Sequence, residues 1–117
     1  MTTVTTTDRK VRLAARAALD RKAVDLVILD VQGLSSVTDF FVVCSGRSTT
    51  HLASIADAVR AAMKAEARLL HAEGTPESGW TLLDYGDVLV HVFLEETRAY
   101  YALERLWGDA PSVPLER

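Results

Sequence analysis

Cysteine is almost missing from this chain. Cys44 is the only one in 117 residues, so no internal disulfide can staple the fold, and packing must hold it. A single thiol fits a reducing compartment. No run of about 18 apolar residues occurs, so no membrane-spanning helix is expected. The threonine-rich start, MTTVTTTDRK, has no apolar stretch of the kind a secretory signal carries. A cytosolic protein is the expectation. Basic charge is not in excess either: 13 Lys and Arg stand against 16 Asp and Glu, a net charge of -3. Gripping nucleic acid along a whole surface relies on basic side chains that neutralise phosphate, so that class is disfavoured, although a local basic patch stays open.

Chemistry-bearing patterns are scarce as well. His51, His71 and His91 each stand alone, and none forms a metal-spaced pair with another histidine or with the cysteine. No two aspartates stand two apart on one strand, the arrangement that metal-dependent nucleotidyl transfer commonly uses. Cys44 lies inside an apolar run, where a thiol is ordinarily inert packing. No cofactor is implied.

Apolar periodicity, by contrast, is plentiful. Hydrophobic residues make up 49% of the chain, enough for a real core in one domain spanning residues 1–117. Val11, Ala14, Ala15, Ala18 and Leu19 form one face of a helix that Thr7 or Asp8 can start. DLVILDV at 25–31 and DFFVVCS at 39–45 are continuous apolar runs rich in β-branched and aromatic residues, as buried strands are. Gly46 ends the second run, and Ser48 can cap a helix over about 49–67. Its apolar stripe is Leu52, Ile55, Ala56, Val59, Ala62 and Met63. Residues 69–73 form a weaker strand candidate, and GTPESG at 74–79 reads as a loop.

Residues 80–93, WTLLDYGDVLVHVF, read as two strands folded back over a turn at 84–87, with Gly86 supplying the backbone freedom. In the second arm Val88, Val90 and Val92 point one way, and Leu89, His91 and Phe93 the other. Both faces are apolar, so this arm is expected to be covered on both sides, with His91 a satisfied, partly buried residue. A last helix is expected over about 95–107, ended by Gly108. Residues 1–6 and 109–117 are expected to be flexible ends. The order α-β-β-α-β-β-β-α predicts an α/β fold, a mixed sheet of about five strands flanked by helices. If the strands on either side of the second helix were parallel neighbours, their crossover would be right-handed.

Three groups invite a functional reading. Asp30, Asp39, Asp84 and Asp87 stand at strand ends, where carboxylates can hold a metal or simply satisfy turn N–H groups, as Asp commonly does. Ser45-Gly46-Arg47-Ser48 turns from strand into helix and could cradle phosphate, but it lacks the spacing and the Lys-Ser/Thr pair of a P-loop. A helix cap is the simpler reading. Trp80, Tyr85 and Tyr101 are harder to place inside than Trp107. With Asp84, Asp87 and Glu104 they would form an aromatic patch rimmed by acid, suited to a basic protein.

Several segments together resemble the ribosomal silencing factor, or Iojap-like, family. They are KAVDLVILDVQGLSSVTDFFVVCSGRS, HLASIADAV, EG, WTLLDYGDVLVHVF and ETRAYYALERLWGDA. They occur in order over about 11–110, and only the threonine-rich start and the short tail fall outside. The resemblance implies a nucleotidyltransferase-like fold without the catalytic carboxylates, and a protein that is not an enzyme. It implies binding to the fourteenth protein of the large ribosomal subunit, which blocks subunit joining and represses translation under nutrient limitation. It also implies a possible homodimer off the ribosome. On this reading Trp80, Asp84, Tyr85 and Asp87 carry the contact, joined by Tyr101 and Glu104. The rival reading is a small nucleotide- or phosphate-handling enzyme using residues 45–48 and the strand-end carboxylates.

Overall fold

The computed structural model describes residues 6–34, 38–101 and 111–113, and the side chains of all of these except 6–8 and 99–101. Helix α1 (Thr6–Asp20) leads into strands β1 (Val24–Asp30) and β2 (Phe40–Gly46). Helix α2 (Thr49–Met63) follows, then β3 (His71–Thr75), a single 3-10 turn (Pro76–Ser78), β4 (Trp80–Asp84), β5 (Val88–Leu94) and α3 (Glu95–Tyr101). The five strands form one sheet in the order β1-β2-β5-β4-β3. All neighbours are antiparallel except β2 and β5, which run parallel. The mixed α/β sheet expected from the sequence is therefore present.

Alternation along the strands divides the sheet into two faces. On the first, Ile28, Phe40, Val42, Cys44, Leu83, Val88, Val90 and Val92 pack under α1 and α2 in the main core. Helix α1 presents Val11, Ala14, Ala15 and Ala18, and α2 presents Leu52, Ile55, Ala56, Val59 and Met63, all buried. Those are the stripes that the 3.6-residue periodicity predicts, with Leu19 and Ala62 only half-buried at their margins. The alanines of α1 let its backbone lie close to its neighbours. On the second face, Leu29, Val31, Phe41, Val43 and Phe93 form a smaller core. β2 is buried at every position because it contributes to both cores.

The junction from β2 into α2 is tight. Ser48 is the N-cap, and its Oγ accepts the His51 backbone N–H at 3.0 Å. A methyl group at Gly46 would lie 2.9 Å from the Leu52 backbone nitrogen and 3.1 Å from its Cα. Only a residue without Cβ lets the strand end meet the helix there.

Three expectations change. The strand after α2 is not a neighbour of β2; it lies at the far edge, and β5 is the parallel partner of β2. All five residues of β3, HAEGT, are exposed, a composition fit for an edge and not for a strand covered on two sides. The stretch expected as a loop at 74–79 instead supplies the end of β3 and the capped 3-10 turn. Most of the expected flexible ends lie outside the described residues, as does the last helix beyond Tyr101. Within the second end, however, residues 111–113 pair with β1: Asp30 N–H donates to Pro111 O at 3.0 Å, and Val113 N–H to Ile28 O at 2.8 Å.

Gly46→Ala is expected to lower stability by about 1–3 kcal/mol, because the added methyl meets backbone that cannot swing aside. Ser48→Ala should lose about 1 kcal/mol through the missing cap. Urea denaturation monitored by circular dichroism would show both as lower midpoints at unchanged slope.

Candidate docking face

The second face of the sheet is built in rows set by the strand register. One row runs Val43, His91, Leu82, Glu73; the next runs Phe41, Leu89, Asp84, His71; a third runs Ser45, Phe93, Trp80, Thr75. Toward β2 these rows are core. Toward β3 they open to solvent: Trp80, Leu82, Asp84 and Leu89 are half-buried, and His71, Glu73 and Thr75 are exposed.

His91 anchors the boundary between the two halves. Its ring meets Phe41 edge-on at 5.3 Å and lies nearly parallel to Phe93 at 5.9 Å. The Trp80 indole stacks beside it at 6.3 Å, and the Trp80 Nε1–H donates to His91 Nδ1 at 3.2 Å. Nδ1 therefore accepts, and the proton of the neutral ring rests on Nε2. Burial pushes the His91 pKa down to about 4, since charging the ring would strand a cation among aromatics. The neutral ring fixes Trp80 with one edge in the core and one toward solvent. An amphipathic aromatic so held is well suited to anchor a partner.

Acid lies further along the strip, beside Leu82 and Leu89. Asp84 Oδ1 accepts the Gly86 N–H at 2.7 Å, which closes the β4–β5 turn with Gly86 at φ 90°. Glu73 Oε1 holds His71 Nε2 at 2.8 Å on the adjoining edge strand. The exposed half of the face is thus an apolar strip of Trp80, Leu82 and Leu89, bordered by Asp84 and Glu73.

The six residues expected to share a patch do not all meet here. Trp80 and Asp84 lie on this face. Tyr85 does not: strand alternation sends it to the opposite side, where it is 5% exposed in the main core. Burial raises its pKa, with the charge of Arg60 pulling the other way. Asp87 is turned toward α1, and its carboxylate binds Lys10 Nζ at 3.2–3.3 Å. The Tyr101 side chain and Glu104 lie outside the described residues. Sequence reasoning missed Leu82, Leu89 and Glu73 as members of this face. The alternation Trp80, Leu82, Asp84 was the available signal for Leu82.

Several residues weighed for catalysis hold structural contacts. At the start of α2, the Arg47 backbone N–H donates to His51 Nδ1 at 2.9 Å, and the His51 backbone N–H is held by Ser48. The N–H of Leu52 is bonded to Ser48 O. These bonds are those of a capped helix start. Asp30 caps the Gln32 N–H at 3.0 Å, as a turn aspartate does. Cys44 is fully buried, and burial pushes its thiol up to about 12. Among the described residues no group of three or more His, Cys, Asp or Glu side chains could hold a metal, and no helix is long and apolar enough to cross a membrane.

Comparison with known proteins identifies the scaffold. A family described as "Ribosomal silencing factor during starvation" matches residues 4–117. The chain belongs to the ribosomal silencing factor family. It is 43% identical over 106 residues to the ribosomal silencing factor of Halalkalibacterium halodurans, covering 90% of this chain and 91% of that one. It is 42% identical over 106 residues to that of Bacillus subtilis, with 90% of each covered. A crystal structure of a Chromobacterium violaceum protein superposes with a TM-score of 0.82 at 36% identity, covering 86% of this chain and 84% of that one.

In this family member the neutral His91 makes folding stability sensitive to pH. Its folded pKa of about 4 lies below the ordinary 6.5. The unfolded chain then binds the extra proton first, so this contribution to stability is complete above about pH 6.5 and is lost as pH falls toward 4. The loss is on the order of 3 kcal/mol once pH falls below the folded pKa. Urea midpoints of the wild type should decline between about pH 6.5 and 5, before most carboxylates titrate. The same curve for His91→Gln is expected to be flatter.

Proposed function

We propose that this ribosomal silencing factor family member acts by docking and not by catalysis. It binds the large ribosomal subunit through the fourteenth protein of that subunit and occupies space that the small subunit needs. Subunit joining is then blocked sterically, and translation falls under nutrient limitation. The observation that carries this reading is the family match from residue 4 to residue 117.

The strip of Trp80, Leu82 and Leu89 is the proposed contact, with Asp84 at its border. A half-buried aromatic among apolar neighbours makes a binding centre, and a rim of acid steers a basic ribosomal protein toward it. Tyr85 and Asp87 then serve the contact indirectly: Tyr85 packs the strand end from behind, and Asp87 ties the turn to α1. No cofactor enters this mechanism.

The direct test is co-sedimentation with isolated large subunits, followed by a subunit-joining assay. Pelleting at micromolar protein and fewer joined ribosomes are the expected results; protein left in the supernatant would end the docking reading. A folded Trp80→Ala, Asp84→Lys double variant should bind roughly 30-fold more weakly, as loss of an interface anchor does. Unchanged binding would move the dock off this face. Calorimetric titration with nucleotide and Mg²⁺ is expected to give no heat, whereas tight metal-dependent binding would revive the enzymatic alternative.

A further inference from the structure

Behind the docking strip, on the helix side of the sheet, lies an open cleft of ≈350 Å³. Arg60, Lys64, Ala67, Arg68, Leu69 and Tyr85 line it. Its apolar wall comes from Ala67, Leu69 and the buried Tyr85, and its cations come from the last turn of α2 and the segment just past it. All three cations are exposed. This segment carries a single acid, Glu66, and Glu66 is already bound to Arg9 at 2.6 Å. No carboxylate among the described residues answers Arg60, Lys64 or Arg68.

Local structure accounts for only part of this charge. Cations in the last turn of a helix complement its dipole, which explains Arg60 and Lys64. Arg68 lies beyond the final helical residue, Met63, and gains nothing from the dipole, which fades within a turn. Like charges four residues apart also repel each other on a helix. Three cations converging on one cleft, in a chain of net charge -3, form a concentration of positive potential that folding does not need.

We propose that this cleft receives a backbone phosphate of RNA, in the docked state one belonging to the ribosomal RNA of the large subunit. The proposal rests on the docking reading for its setting. Arginine presents a planar fork that matches phosphate oxygens, and lysine adds a mobile point charge. The apolar wall lowers the local dielectric and strengthens each contact. Asp84 and Tyr85 are successive residues on opposite faces, so the acid-bordered end of the strip and the basic cleft lie back to back at one strand end. One side suits a basic protein and the other the RNA beside it, and opposite charge on two faces would fix the orientation of the docked protein.

The test is a titration of isotope-labelled protein with a short single-stranded RNA at low salt, followed by backbone amide shifts. Shifts concentrated at 60–69 and 85, and abolished near about 0.5 M salt, are expected. A variant carrying Arg60→Gln, Lys64→Gln and Arg68→Gln should keep its circular dichroism spectrum and lose those shifts. Its binding to large subunits should depend less on salt, with a log–log slope shallower by about 2. Absence of RNA-induced shifts at these amides would overturn the proposal, as would equal shifts with polyglutamate, which would assign the cleft to an acidic protein. An unchanged salt slope in the variant would overturn the ribosomal setting. If the wild type fails to pellet with large subunits, the docking reading falls on its own, and the RNA titration still decides the chemistry of the cleft.

Discussion

The parallel ladder between β2 and β5 is the constraint on which the rest of the molecule depends. Seven residue pairs, from Phe40 with Val88 to Gly46 with Leu94, hold it in register. Parallel strands cannot be joined by a tight turn, so the chain must leave β2, cross over and return. Everything between them, α2, β3 and β4, is that return path. Because the ladder is covered on both faces except at half-buried Leu89 and Leu94, its side chains are apolar in both directions, and only Ser45 and His91 depart from this. Each is held by a hydrogen bond: Ser45 Oγ accepts from Arg98 Nη1 at 3.1 Å, and His91 accepts from Trp80.

That ladder also separates two chemistries. One face is closed by α1 and α2, and its strand end borders the basic cleft. The other passes from a dry core near β2 to an acid-rimmed strip near β3. A step of one residue past the end of β4 moves from Asp84 to Tyr85, and so from one environment to the other. The register of the β4–β5 hairpin, closed by the Asp84 carboxylate on the Gly86 N–H, therefore controls both surfaces together. A slip of one residue would exchange every side chain between the faces.

Much of this was legible beforehand, for identifiable reasons. The helical stripes of α1 and α2 and the double-faced pattern of β5 are set by burial, and burial writes itself into periodicity. Ser48 was legible because capping needs a particular side chain at a particular offset. The neighbour relations were not: nothing local in HAEGT says which strand it joins, and its place at the edge follows from what the buried strands exclude. Tyr85 was misplaced because an aromatic beside a turn looks exposed until the alternation of β4 is continued one residue further. Asp87 was misread for a different reason. Its partner, Lys10, is 77 residues away in sequence, and such a pairing leaves no local trace. The basic cleft was missed because its residues come from a helix end, the segment after it and a turn.

The burial of Cys44 has a practical side. Its thiol is sealed between the sheet and the helices and is held protonated far above neutral pH, so a thiol reagent meets nothing reactive there in the native state. A cysteine introduced at any exposed position could then be labelled selectively, which makes the chain a natural host for spectroscopic probes. Slow modification of Cys44 itself would report how often the central ladder opens. A buried thiol thus becomes a clock for the motion of the strand that holds it.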